Sequence, residues 1–180
     1  YAESPDTIWW AGGKFNRFLE YKGNYYQRSV ELVKDHDLLH TDCITGCLTL
    51  VPRQVFETVG GYDEQLFIWS EDWDLSIRVH KMGYRMILVP SSRVYHKVSR
   101  SLGIMKPLPY YYGTRNRLLI KRKHVAQHLR ILFFLWFIPT RLVRFSQFLI
   151  QGRIDLVHAG LCAIKDYFLG KTGKWDKQVE

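Results

Sequence analysis

Cysteine is scarce in this chain: Cys43, Cys47 and Cys162 are the only three in 180 residues. So sparse and odd a set excludes a dense disulfide framework and points to free thiols in a reducing compartment. No Cys or His stands at zinc-finger spacing from Cys43 and Cys47, which sets thiolate metal sites aside. Both read as small core-facing residues of a strand. Long hydrophobic runs are missing as well. The uninterrupted apolar core of the segment 125–138 is Ile131–Ile138, far short of the ~20 residues that a bilayer-spanning helix needs. That segment is expected to lie on a membrane or pack within protein. An initiator Met and a signal peptide are also lacking, since the chain opens Tyr1-Ala2-Glu3-Ser4-Pro5. It is expected to be the interior of a longer protein.

Acidic residues are few in one half only. Residues 1–96 carry 10 basic and 13 acidic side chains, whereas residues 97–180 carry 16 basic and 4 acidic. A near-neutral globular part is thus joined to a strongly basic one, and the basic part calls for an anionic partner. With 47% hydrophobic residues the chain is not disordered. Its length suits one domain plus an appendage, divided here as 1–106 and 107–180.

Thr7–Ala11 reads as a short strand stopped by Gly12-Gly13, and residues 14–40 as a long loop with a helical turn. Asp42–Val51 is apolar and β-branched enough for a buried strand. Pro52 suits the start of a helix over 53–59 that Gly60-Gly61 ends. The best-marked helix follows, with Ser70 as N-cap, Glu71, Asp72 and Asp74 in its first turn, and Leu75, Val79 and Met82 at helical spacing before Gly83. Asp74 and Arg78 stand four apart, as an ion pair would. Arg85–Pro90 and Arg93–His96 read as strands, and the pattern is helical and basic from Tyr110 onward. Alternating strands and helices are the grammar of an α/β domain.

Three runs carry a family likeness: Gly46-Cys47-Leu48-Thr49-Leu50-Val51-Pro52-Arg53, Val59-Gly60-Gly61-Tyr62-Asp63-Glu64, and Phe67-Ile68-Trp69-Ser70-Glu71-Asp72-Trp73-Asp74. Gly83-Tyr84, Val89-Pro90 and Val94-Tyr95-His96-Lys97 follow in order, with Ile8-Trp9-Trp10-Ala11-Gly12-Gly13 upstream and Tyr110-Tyr111-Tyr112 with Arg115-Asn116 downstream. Over roughly residues 5–122 the chain resembles the family 2 glycosyltransferases, nearest to the rhamnosyltransferase-like branch that builds bacterial cell-surface polysaccharides. The resemblance implies the C-terminal, acceptor-side half of a GT-A (Rossmann-like) domain, followed here by basic amphipathic helices. It implies inversion by single displacement from a nucleotide-sugar donor, usually with Mg²⁺ or Mn²⁺ on the diphosphate. The nucleotide-binding half, with its Asp-X-Asp metal motif, is expected upstream of Tyr1. Asp35-His36-Asp37 has those letters but follows the Trp-Ala-Gly-Gly segment instead of preceding it.

The same resemblance assigns roles. Asp72 is expected to be the catalytic base that takes the acceptor hydroxyl's proton, and Glu71 to hydrogen-bond sugar hydroxyls. Taken alone, both would merely complement a helix dipole. Trp69 offers an aromatic face to a sugar or lipid, or fills a core. Gly46 allows close backbone approach to the donor, or marks a bulge. His96 is expected to complete a metal shell, the plainer reading being structural. Lys97 and Arg100 would neutralise the diphosphate, the plainer reading being solvated surface cations.

Tyr110–Tyr112 with Arg115 and Arg117 mix aromatics and cations. That composition occurs in nucleic-acid grooves and on interfacial helices. The apolar run that follows favours an anionic membrane surface, the plain alternative being a helix that covers the sheet, and nucleic acid is not expected. The reading is therefore an inverting transferase acting on a lipid-linked or polysaccharide acceptor, held peripherally at the cytoplasmic face of the cell membrane. The alternative is a non-catalytic glycan-binding or scaffolding module at that surface.

Overall fold

The computed structural model describes residues 1–16, 18–23, 27–33, 38–98 and 105–176. The Asp35-His36-Asp37 triplet and Arg100 lie outside the described residues. The chain divides into two compact units, Tyr1–Asp63 with Glu71–Arg100, and Glu64–Ser70 with Ser101–Glu180.

The first unit is mixed α/β with two small sheets. Strand β1 (Gly13–Phe15) pairs antiparallel with β2 (Tyr21–Gly23), Lys14 opposite Lys22. Strand β3 (Leu39–Thr41) pairs antiparallel with β4 (Met86–Leu88), His40 opposite Ile87. A 3-10 turn at Val30–Leu32 and helices α1 (Arg53–Thr58) and α2 (Glu71–Lys81) complete it. Pro52 occupies the α1 N-cap with φ −57°, as its ring prefers. Gly83 ends the α2 run with φ 81°, a left-handed conformation that glycine adopts without steric cost. Leu75 and Val79 of α2 are buried with Val59 and Met86, against half-buried Ile44 and Phe56. Met82, on the same sequence stripe, is exposed.

Three expected strands are absent. Thr7–Ala11 makes a single bridge, Thr7 to Ser29. Arg93–His96 is irregular, and so is Asp42–Val51. The β3 ladder stops at Thr41, where the next amide, Asp42 N, donates instead to the Gly13 carbonyl at 2.9 Å, and the Thr41 hydroxyl accepts from Gly13 N at 2.9 Å and donates to the Cys43 carbonyl at 2.8 Å. Beyond it Thr49 Oγ1 donates to the Thr45 carbonyl at 2.5 Å, which closes a turn where a strand would have run. Leu50 is almost wholly exposed. Of the two cysteines expected to face a core, Cys43 is buried and Cys47 is exposed.

The Asp74–Arg78 pair forms, Nε to Oδ2 at 2.7 Å, with Asp74 fully buried. Arg78 also donates to the carbonyls of Val59 and Gly61, the latter at 2.6 Å. Its planar fork thereby ties α2 to the turn after α1, where Gly60 and Gly61 have φ 82° and 66°.

The second unit is helical: α3 (Pro107–His124), α4 (Gln127–Ile150, with Pro139 inside) and α5 (Ile154–Phe168). Aromatic side chains fill it. Tyr111, Tyr112, Ala159, Ala163 and Trp175 form one buried cluster, and Phe145, Phe148 and Leu156 another. The Trp175 indole stacks on Tyr111 at 4.0 Å, and the Tyr111 hydroxyl donates to Asp166 at 2.8 Å. Segment 64–70 has left-handed backbone at Phe67, Trp69 and Ser70, with φ 61°, 69° and 70°. Such conformations cost roughly 1–3 kcal/mol each for non-glycine residues. Buried Asn116 offsets them, its Nδ2 lying 2.8, 2.8 and 2.7 Å from the carbonyls of Leu66, Ile68 and Trp69. The expected N-cap, Ser70, therefore lacks the extended backbone such a cap usually takes.

Candidate active site

Four of the five residues singled out in the sequence lie in the first unit: Gly46, Glu71, Asp72 and His96. Helix α2 begins with the two carboxylates. The Asp72 carboxylate is held from both sides, Oδ2 accepting from Gly46 N at 3.2 Å and Oδ1 from Trp73 N at 2.9 Å. The Ser76 hydroxyl donates to the Asp72 carbonyl at 2.6 Å and accepts from Ile44 N at 3.0 Å. The turn carrying Asp72 is thus tied to the irregular segment that carries Gly46.

Burial raises the Asp72 carboxyl above its ordinary range, opposed by the amides of Gly46 and Trp73. Its charge is felt nearby. The Cys43 thiol is pushed up to about 12, chiefly by burial and next by Asp72. Burial also raises the hydroxyl of Tyr62, with Asp72 and Glu71 adding to it. Glu71 is raised by burial as well. One of its oxygens, Oε2, is buried without a hydrogen-bond partner among the described residues. An orphaned acceptor of this kind is costly unless a ligand satisfies it.

A Cβ placed on Gly46 would meet nothing within 4 Å. Packing within the protein therefore does not demand glycine there, and the space beside its amide is open. Residues that sequence reasoning passed over stand close by. Phe15, Tyr21 and Trp73 form an aromatic group with ring centroids 5.8–6.4 Å apart, and Asp72 contributes to a rise in the Tyr21 hydroxyl's pKa that burial dominates. All three rings are half-buried. Trp73 adjoins Asp72 in sequence, but only the β1–β2 hairpin brings Phe15 and Tyr21 to it.

Trp69 belongs to the second unit, half-buried against the Tyr111–Tyr112 cluster with its carbonyl held by Asn116. His96 tilts against the Trp9 indole, centroids 4.3 Å apart, and its carbonyl accepts from Ala2 N at 3.0 Å. Lys97 is exposed. Family 2 relatives commonly use a divalent ion, but the described residues hold no group of three His, Cys, Asp or Glu side chains placed to bind one. His96 could supply one ligand, so these residues do not fit a complete metal shell.

A cavity of about 930 Å³ with largely apolar walls also lies in this unit. Trp9, Thr45, Cys47 and His96 line it, whereas Glu71 and Asp72 do not.

A protein-family model described as the N-terminal domain of galactosyltransferase matches residues 14–100, which include Gly46, the two carboxylates and His96. An N-acetylglucosaminyl-diphospho-decaprenol L-rhamnosyltransferase of Mycobacterium tuberculosis is 42% identical over 60 residues, 33% of this chain and 20% of that protein. The dTDP-rhamnosyl transferase RfbF of Shigella flexneri is 30% identical over 135 residues, 69% of this chain and 45% of that protein. A human polypeptide N-acetylgalactosaminyltransferase 10 is 33% identical over 85 residues, 47% of this chain and 14% of that protein. The chain thus spans less than half the length of each of these relatives. No solved structure matches it. The mixed α/β unit fits a GT-A-type domain, and these likenesses mark the chain as part of a glycosyltransferase that resembles the rhamnosyltransferases of family 2.

Proposed function

We propose that the chain carries the acceptor-side, C-terminal half of a GT-A domain. In it Asp72 is the general base of an inverting transfer from a nucleotide-sugar donor to a lipid-linked or polysaccharide acceptor. The observation that carries this reading is the Asp72 carboxylate, fixed by the amides of Gly46 and Trp73 and raised by burial. A base must be aimed, and it works best when its proton affinity is lifted toward the working pH. The acceptor oxygen attacks the anomeric carbon as the bond from that carbon to the nucleoside diphosphate breaks. The hydroxyl proton passes to Asp72, and the single displacement inverts the centre.

Glu71 Oε2, buried and without a partner among the described residues, accepts from a sugar hydroxyl. Gly46 holds Asp72 and leaves open space beside it. Trp69 is assigned to acceptor contact on the family likeness. The names of the two rhamnosyltransferase relatives make a deoxyhexose on a thymidine diphosphate the donor of choice, with a polyprenyl-diphosphate-linked sugar as acceptor. His96 is offered as one ligand of a Mg²⁺ or Mn²⁺ ion, and no step here is routed through that ion.

Transfer by an active enzyme carrying this sequence tests the reading. Asp72→Asn should lower turnover about 10²–10⁴-fold with donor affinity kept, and should remove the fall in rate at low pH. Glu71→Gln should raise the acceptor KM before it lowers kcat. An Asp72→Asn enzyme with near-normal turnover would end the assignment.

A further inference from the structure

Helix α4 is turned opposite to an ordinary surface helix. Ile131, Leu135, Ile138, Leu142 and Leu149 recur at helical spacing along its outer side, each more than half exposed. A second exposed row runs beside them from Leu132 through Trp136 and Val143 to Ile150. From Ile131 to Ile150 the exposed side holds no charged residue, its polar members being Ser146 and Gln147. The arginines face inward. Arg141 and Arg144 are half-buried over the rings of buried Phe137 and Phe148, at 5.2 and 4.8 Å. Nine large apolar side chains exposed along one helix form the kind of patch that marks an interaction surface, unlike singly scattered apolar residues.

We infer that this outer face of α4 is a membrane-docking surface that lies in the plane of a bilayer, with its apolar rows among the acyl chains. Three observations choose the occupant. The face offers almost no hydrogen-bonding group, which suits fluid hydrocarbon better than a directional protein partner. Residues 97–180 carry 16 basic against 4 acidic side chains, and α4 itself has no Asp or Glu. That charge attracts anionic headgroups and repels a second copy of the same region. Finally, among the described residues no helix is long and apolar enough to cross a membrane, so a helix of ~36 Å lies flat.

The aromatic–cation group expected at the interface does not serve, since Tyr111, Tyr112 and Arg115 are buried. The anchor is therefore apolar first and electrostatic second. The inference places the proposed transfer where a lipid-linked acceptor is presented, but it does not depend on Asp72.

Vesicle flotation of the chain tests it without reading transfer. Phosphatidylcholine vesicles should bind it, and vesicles with added phosphatidylglycerol should bind it more tightly. High salt should reduce the second to the first without abolishing either. The double substitution Leu135→Glu with Leu142→Glu, both at exposed positions, should lower partition to both vesicles by about tenfold or more, with the circular dichroism unchanged. Brominated acyl chains should quench Trp136, identified by difference against Trp136→Phe. Binding to anionic vesicles alone that high salt abolishes would overturn the inference, as would no binding at all. So would a stable dimer in sedimentation that the double substitution dissolves.

Discussion

The two units are built on opposite economies of structure. The first rests on strands of three residues and on single side chains that take up stray backbone groups: Thr41 at the end of β3, Ser76 under Asp72, and Arg78 on the turn after α1. The second rests on three long helices packed through aromatic rings. In the first, then, order depends on a few polar pins, and the half-buried carboxylates Glu71 and Asp72 stand close to them. The groups proposed as functional sit where local structure is least self-sufficient, because loops and short strands leave amides and space that helices would consume.

The comparison breaks most sharply at Arg78. Arg78→Ala removes the guanidinium paired with buried Asp74 and the donors to the Val59 and Gly61 carbonyls. A loss of about 3–5 kcal/mol is expected in urea unfolding. Arg78→Lys should recover little of it, since an ammonium cannot span the same three acceptors. A lysine variant as stable as wild type would show that charge alone holds the turn.

The second unit has polar pins too, and removing one of them, Asn116, should cost somewhat less. Asn116→Ala removes the donor to the carbonyls of Leu66, Ile68 and Trp69. A destabilisation of about 2–3 kcal/mol is expected. It should appear as faster amide exchange over the left-handed stretch Phe67–Ser70, while aromatic packing keeps the helices. Equal acceleration through all of α3 and α5 would mean that this pin and the aromatic core are one structure.

The smallest effect has the opposite sign. Glu71 and Asp72 are both raised by burial, so the folded chain binds their protons more tightly than the unfolded chain does. Stability then falls as pH rises from the ordinary carboxylate range through the raised values, and the full cost is present at neutral pH. Glu71→Gln and Asp72→Asn should each raise the melting temperature at pH 7, by roughly 1–3 °C. The gain should vanish in acid, where the wild-type groups are protonated too. A gain that persists there would assign it to packing.

Much of the first unit's helical layout was legible along the chain. Pro52 and Gly60 bracket α1, while the acidic first turn and Gly83 bracket α2, because caps and dipole complementarity are local. The Asp74–Arg78 pair follows from i,i+4 spacing alone. Strands were the poorer reading. Asp42–Val51 has β-branched composition but no ladder partner among the described residues, and β propensity is a statement about neighbours. Cys47 went the same way, exposed once its strand was absent.

Sequence alone determined the family likeness, the pair of carboxylates opening α2, the helical character of the basic half and the shortness of its apolar runs. Tertiary structure decided which groups meet. The Gly46 amide lies on Asp72 across 26 positions of sequence, and the hairpin brings Phe15 and Tyr21 to Trp73. It also decided the facing of α4. Periodicity tells which side chains share a side of a helix, but α4 is apolar on both sides, so only packing could choose. The phenylalanines took the inside with the arginines laid over them, and the leucines and isoleucines were left outside.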